Sequence, residues 1–224
     1  MPMSGFGKTD SNMLPIAASN KDTNNLSGYA KTGFHFDLYL TYQLIPHLGI
    51  MLSVGGNMNS YDVTTLNTQY ADQYTSHGGN GNLPAFTASG SYYIGQYLLG
   101  PCINIPAGTG GLSIEAKALF GLTTANYPGL SYSYSFFGTT ISNTFSVKSA
   151  SGFGYNVGAG LKYSLPGGLI GLHLGVAYGG SSISYPSYTS SYSDGTTTQT
   201  TTYNVPKAMS LAMLQITIGA SVDL

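Results

Sequence analysis

The sequence predicts an all-β fold, an antiparallel up-and-down β-barrel of the eight-stranded transmembrane type. The first observation is that apolar and polar side chains alternate over long segments, which places them on opposite faces of strands. The second is that only 7% of residues are charged, against about 25% in an ordinary soluble domain. The third is a succession of short and long connections, which is typical of outer-membrane barrels. We recognise seven strands, labelled A to G.

The first three strands show the alternation with different clarity. Strand A alternates from Phe34 to Leu44, and strand B continues the pattern after the short turn at Pro46 and His47. Strand C is interrupted by Pro101, which cannot donate a ladder hydrogen bond, so we expect a bulge or a break there. The predicted bounds of strands A, B and C are Tyr29–Ile45, Gly49–Asp62 and Thr87–Ile105.

The last four strands are the more regular ones. Strand D follows the turn 106–110, and strands E and F are joined through Pro166, Gly167 and Gly168. In strand G the alternation is strict from Leu214 to the end of the chain. The predicted bounds of strands D to G are Gly111–Tyr127, Ser151–Leu165, Leu169–Ile183 and Ala208–Leu224.

Long polar connections separate the hairpins. We predict loops over Val63–Phe86, Pro128–Ala150 and Ser184–Pro206, because these segments are rich in glycine, serine, threonine and other turn formers. Bacterial barrels have short periplasmic turns and long extracellular loops. These three segments are therefore expected on the cell surface, where they could carry an extracellular ligand.

The N-terminal segment 1–27 is polar and does not alternate. Strand A would descend towards the periplasm, so this segment is expected to be an extracellular loop that precedes residues 28–224, the β-barrel domain. On this interpretation the chain lacks both a secretory signal and its first strand. Two alternatives stay open. Residues 1–27 could supply a poor eighth strand, or strands A and G could close the barrel in parallel.

The charges of the strands all fall on the polar face. A lysine that faces lipid near the midplane costs about 2–4 kcal/mol, so we place these side chains in the lumen. A soluble barrel with the opposite orientation would expose almost no charge other than these. The predicted lumen charge network, with the two histidines of the same face, is Lys31, His35, Asp37, Glu115, Lys117, Lys162, His173 and Asp223. Paired charges would plug the lumen, and the alternative is a narrow polar pore.

Aromatic side chains predict two girdles on the lipid face, one near each membrane surface. Other tyrosines lie in the long loops among serine and threonine, a composition that suits adaptable binding surfaces as well as plain uncharged loops. The predicted girdle residues are Phe34, Tyr42, Phe153, Tyr155, Tyr163 and Tyr178.

Other chemistry has weaker support. His35, Asp37 and His173 share the inner face and could bind a metal, but a hydrogen-bonded pair explains them as well. A barrel-borne lipid hydrolase would need Ser, His and an acid at one rim, and the sequence has no G-x-S-x-G elbow. We predict no enzyme activity, no metal and no cofactor. Cys102 is expected to be an inert strand residue, and a net charge of −1 offers no basic patch for nucleic acid.

From strand A onward the chain resembles the small outer-membrane barrels of the OmpA/OmpX type, and in composition the Gly- and Tyr-rich outer-membrane β-barrel domain proteins of Bacteroidota. The segments Phe153–Tyr163, Leu169–Tyr178 and strand G carry the resemblance. It implies a cell-surface protein of the Gram-negative outer membrane whose partners are lipid and the barrel-assembly machinery. Leu224 stands where that family usually has a terminal aromatic residue.

The function expected from this resemblance is that of a structural or interaction scaffold, with the long extracellular loops available for adhesion or surface binding. A narrow porin-like channel is the alternative, and a lipid hydrolase comes third.

Overall fold

The computed structural model describes residues 8–9, 29–76, 83, 85–204 and 207–223, and most of them lie in β-strands. The elements in chain order are β1 (Lys8–Thr9), β2 (Phe34–Ile45), β3 (Leu48–Ser60), α1 (Val63–Ser76), β4 (Ala85–Ser89), β5 (Ser91–Pro106), β6 (Leu112–Asn126), β7 (Gly129–Phe136), β8 (Thr139–Val147), β9 (Ala150–Ser164), β10 (Ile170–Tyr185), β11 (Tyr188–Ser193), β12 (Thr198–Tyr203) and β13 (Lys207–Val222).

The long strands form one curled antiparallel sheet, which we call the wall sheet, in the order β1-β13-β10-β9-β6-β5-β3-β2. Apart from β1, each strand pairs with the next long strand along the chain, as the meander prediction requires. The curl brings Cα atoms of β2 and β13 within 8 Å of each other. Lys8 and Thr9 pair with the start of β13 as an eighth, antiparallel strand. The rest of segment 1–27 lies outside the described residues.

The predicted long loops are wrong, because most of their residues form secondary structure. Four of the five strands of a second antiparallel sheet come from them, and the fifth, β4, straddles the predicted start of strand C. This extension sheet has the order β12-β11-β8-β7-β4. Its strands continue wall strands after interruptions of one to three residues: β4 leads into β5, β6 into β7, β8 into β9, β10 into β11 and β12 into β13. The two sheets therefore share one strand order.

The first predicted loop also contains the helix α1. Asp62, which we had placed at the end of a strand, accepts hydrogen bonds from the backbone N–H and the hydroxyl of Thr65 and caps the helix N-terminus. Asn67 exchanges two hydrogen bonds with the backbone of Phe86, so α1 covers the edge of β4. No helix of the described chain is long and apolar enough to cross a membrane.

Two predicted strand details are corrected. Strand A begins at Phe34 rather than Tyr29. Strand C continues through Pro101 without a break as β5, although the ladder to β6 lacks pairs at Gly100 and Pro101. The register is the same on both sides of that gap, so the missing donor interrupts the ladder and does not shift it. The register shift that does occur lies in β2, between Gln43 and Ile45.

The predicted orientation of the wall strands is confirmed by exposure. Phe36, Leu172 and Ile218, on the convex face, are 60%, 50% and 84% exposed. Lys162, on the concave face, is only 8% exposed. A one-residue error of register would have exchanged the faces of a strand. The convex face of the wall sheet is thus apolar. The described charged side chains of β2, β6 and β9 lie on the concave face.

Candidate functional site

Asp37 is the centre of a buried polar cluster on the concave face of β2. Its side chain is 4% exposed. One carboxylate oxygen lies 2.6 Å from His35 Nε2 and 2.6 Å from the Tyr39 hydroxyl, and the other accepts a longer bond of 3.4 Å from Ser53. His35, Asp37 and Tyr39 meet because alternate residues of one strand share a face. The other His35 nitrogen faces the Gly56 carbonyl oxygen at 3.2 Å, so both ring nitrogens face acceptor oxygens.

Lys117 reaches this cluster from β6. Its Nζ donates to the Tyr39 hydroxyl at 2.5 Å and lies 3.9 Å from the centre of the Tyr39 ring. Tyr39 in turn donates to Asp37, so its hydroxyl links the lysine to the carboxylate. The cluster therefore joins two strands that are not neighbours in the wall sheet.

Two further pairs join strands on the concave face. His173 Nδ1 lies 2.8 Å from Glu115, and Lys162 Nζ lies 2.6 Å from Asp223. Each partner comes from a strand that is separated from the other by one intervening strand, as the side chains of a tightly curled sheet allow. The structure thus places each of these two carboxylates against a basic side chain of another strand.

Lys31 is the exception among the predicted charged residues. It precedes β2 and pairs with Asp62 at 3.5 Å, where it is half exposed beside α1. This ion pair lies at the end of the molecule that carries the long connections, apart from the other predicted charges.

The combinations required for metal or hydrolase chemistry are not assembled around His35. His173 bonds Glu115 instead of joining His35 and Asp37. Ser53 bonds Asp37, whereas both nitrogens of His35 are directed at other acceptors. A serine nucleophile needs a hydrogen bond to the histidine base, and this serine does not make one.

An amide layer crosses the concave side at mid-height. The Asn156 amide donates to Gln215 at 2.5 Å, and the Gln215 amide donates to Gln96 at 3.4 Å. All three side chains are buried. Sequence reasoning missed this layer because an isolated amide on a polar face gives no signal of its partners across the sheet.

An aromatic cap closes the end that faces the extension sheet. Tyr61 and Tyr92 stack with ring centres 5.8 Å apart, and Tyr127 meets Tyr92 edge-on at 5.1 Å and Tyr185 at 6.4 Å. Tyr29 donates a hydrogen bond to α1, and its burial raises the pKa of its hydroxyl. The pairs of Glu115 with His173 and of Lys162 with Asp223 thus lie near the short turns, and the aromatic rings lie at the far end. The Asp37 cluster is at the level of the amide layer, because Asp37 shares a ladder row with Gln96.

The predicted girdle residues lie on the convex face of the wall sheet. Phe34 and Phe153 are near the long connections, and Tyr42 and Tyr163 are near the short turns. Tyr155 and Tyr178 are neighbours with ring centres 6.1 Å apart. Phe34 and Phe153 thus lie towards one end of the wall sheet and Tyr42 and Tyr163 towards the other, whereas Tyr178 lies at the middle of β10.

The extension sheet has two chemically distinct faces. Its aromatic face includes Phe86, Leu130 and Ile141, which are buried, and Phe86 and Leu130 share a core with Tyr185 and Ile183 of the concave side. The opposite face, the hydroxyl face, therefore continues the convex side of the wall. The hydroxyl face consists of Thr87, Ser89, Ser131, Ser133, Ser135, Thr140, Ser142, Thr144, Ser146, Thr189, Ser191, Ser193, Thr198, Thr200 and Thr202.

The hydroxyl face was not predicted. The alternation that builds it is present, for example in Ser131-Tyr-Ser-Tyr-Ser135, but it is an alternation of hydroxyl and aromatic side chains. Comparison of the chain with family models, curated proteins and solved structures finds no match.

Proposed function

We propose that this chain is an outer-membrane β-barrel that serves as a scaffold for the extension sheet. In this proposal the wall sheet closes into an eight-stranded transmembrane barrel of the OmpA/OmpX type in a Gram-negative outer membrane. Its convex face contacts lipid, the barrel-assembly machinery inserts it, and the extension sheet stands on the cell surface. Catalysis forms no part of this function.

The observation that carries the proposal is the change of chemistry along the convex side. All seven long wall strands expose large apolar side chains there, and the strands that continue them expose serine and threonine. A contiguous apolar surface of this extent is rare on soluble proteins. An apolar zone followed by a hydroxyl zone is what a barrel needs when it leaves the hydrocarbon and enters a polar phase.

The contents of the concave side favour a scaffold over a channel. The amide layer spans from β13 to β5, and the aromatic cap covers one end. Both fill space through which an aqueous pore would pass. An eight-stranded barrel is only wide enough to be filled by side chains.

Closure is supported by the approach of β2 and β13 and by Lys117 of β6, which reaches Tyr39 of the edge strand β2 across two intervening strands. An open sheet of this length would expose two edges.

The test uses a tryptophan on either face of β13, since the chain has no native tryptophan. Ile218→Trp places the indole on the convex face, where the residue is 84% exposed. Gly219→Trp places it on the opposite face at almost the same height, and a Cβ there meets nothing within 4 Å. In vesicles with brominated acyl chains, we expect strong quenching for Ile218→Trp and weak quenching for Gly219→Trp. Equal quenching, or none for either variant, would contradict the proposal.

A further inference from the structure

The hydroxyl face is an ordered and uncharged array. None of the five strands of the extension sheet carries an acidic, basic or histidine residue. Residues of one face repeat about every 6.8 Å along a strand and about every 4.8 Å between strands. The array is therefore a regular grid of hydroxyl-bearing residues that are exposed or half-buried.

Neighbouring strands hold these hydroxyls in pairs. Thr87 and Ser131 are 2.8 Å apart between oxygens, and Ser191 and Thr200 are 3.0 Å apart. A hydroxyl has one donor and two acceptor sites, so a paired hydroxyl keeps hydrogen-bonding capacity towards the outside. Pairing also restricts the rotation of each hydroxyl, which lowers the entropy cost of binding.

The position of the array indicates what it meets. It begins on the convex side where the apolar surface ends, after short interruptions such as Gly90 and the pair Pro186 and Ser187. On a protein whose apolar surface lies in hydrocarbon, the next layer is that of the lipid headgroups. The headgroups closest to the barrel are therefore placed against these strands.

The chemistry of the array selects among headgroups. Arginine and lysine are the preferred side chains for phosphate groups. The five strands have neither, and Lys148, between β8 and β9, is the one lysine in the described part of the interruptions that join them to the wall strands. Sugars offer several neutral hydroxyl groups at once and match a neutral grid of donors and acceptors. We propose that the hydroxyl face binds the neutral sugar headgroups of glycolipids in the surrounding leaflet, which rests on the proposed membrane location.

The test compares two spin-labelled lipids in phosphatidylcholine vesicles that contain the full chain. One is digalactosyl diacylglycerol and the other is phosphatidylcholine, and electron paramagnetic resonance measures the fraction of each that is immobilised at the protein surface. We expect an about threefold preference for the glycolipid, as a few neutral hydrogen bonds can supply. If wild-type protein immobilises both lipids equally, the inference is wrong even though the protein is inserted. If it immobilises neither, the proposed function fails as well.

The chain offers a matched pair of variants on β11 and β12. Ser191→Ala combined with Thr200→Val removes one cross-strand pair of the hydroxyl face. Ser190→Ala combined with Thr201→Val makes the same chemical change one residue away, on the opposite face of the same ladder. Threonine to valine preserves side-chain shape and β-propensity.

We expect the first double variant to reduce the preference towards unity and the second to retain it. Equal loss of the preference in both double variants would overturn the inference. So would competition in which a soluble digalactoside, at the same concentration as the glycolipid, abolishes the lipid preference of the wild-type protein. The wild-type comparison of the two lipids decides the matter even if a variant fails to fold.

Discussion

Asp37→Asn tests the buried cluster most directly, because it keeps the shape of the side chain and removes its charge. Asp37 accepts two bonds of 2.6 Å, from His35 and Tyr39, and Tyr39 links it to Lys117. In the variant a neutral amide replaces the carboxylate of the cluster, and the positive charge of Lys117 loses that negative partner.

The magnitude follows from the contacts. Hydrogen bonds to charged groups are worth about 1.5–3 kcal/mol each. Both short bonds go to one carboxylate oxygen. An asparagine that keeps its carbonyl oxygen there retains both bonds without their charge assistance, and its amide group replaces the oxygen that accepts from Ser53. We expect Asp37→Asn to lower the free energy of unfolding by about 3 kcal/mol, in the range found when one partner of a buried pair is removed.

The double variant Asp37→Asn/Lys117→Met separates this electrostatic account from a loss of packing. Methionine removes the unpaired charge and keeps most of the aliphatic volume, so the double variant should recover about 1–2 kcal/mol relative to Asp37→Asn alone. The control is Thr41→Val, an exposed residue on the same face of β2, for which we expect less than about 0.5 kcal/mol.

Urea unfolding of the protein in lipid vesicles, followed by the mobility of folded and unfolded forms on cold gels, measures these differences. Two results would refute the reasoning. One is a free energy of unfolding of Asp37→Asn within about 0.5 kcal/mol of the wild-type value, which is the size of effect expected for a surface substitution. The other is a double variant whose loss equals the sum of the two single losses.

Three other predictions follow from separate parts of the molecule. Thr65 and Lys31 hold the pKa of Asp62 below its usual range, so the contribution of this carboxylate to the stability of α1 should be present above about pH 4 and lost as the pH falls through the lowered folded-state pKa. Hydrogen exchange of the α1 amides should show this loss. The variant Asp62→Ala should show no such pH dependence and should lower the stability by about 0.5–1 kcal/mol. Gly154→Ala should cost about 1–3 kcal/mol because its Cβ would overlap the Thr123 hydroxyl, whereas Gly219→Ala, with open space, should be nearly neutral in the same urea assay. Purified protein in planar bilayers should show no steady conductance, and single-channel steps that Lys117→Glu alters would favour the pore instead.

The strands of the wall sheet could be predicted from sequence because apolar and polar side chains alternate along them with period two. Phe36 and Asp37, or Leu161 and Lys162, differ so strongly in polarity that the orientation of each strand is unambiguous. The positions of the short turns then fix three of the pairings, β2 with β3, β5 with β6 and β9 with β10, since antiparallel strands joined by a few residues become neighbours.

The extension sheet and α1 could not be predicted by the same signal. Tyrosine and serine are both tolerated in loops, so the alternation around Tyr132 and Tyr134 looks like low complexity until the strands pair. The helix has a weak pattern, with Val63, Leu66 and Tyr70 as its packed side. Asp62 three residues before Thr65 was a capping signal that could have indicated where this helix starts.

The concave face was predictable by residue type and not by partner. Parity places Asp37, Glu115, Lys117 and Lys162 on one side of the sheet, but the curl decides which of them meet. Tyr39 as the link to Lys117, and the contact of Gln215 with Gln96, depend on the radius of the curl. No local sequence pattern encodes that distance.

The shared strand order of the two sheets has a mechanical consequence. Because each strand of the extension sheet runs into a wall strand after at most three residues, a pull on the extension acts along the strands, perpendicular to their ladder hydrogen bonds. Such a load shears many bonds at once, whereas a pull on a flexible loop peels a hairpin bond by bond. A load applied to the extension sheet would therefore be shared by the five wall strands that continue it, and separating them by shear needs a larger force than peeling one hairpin.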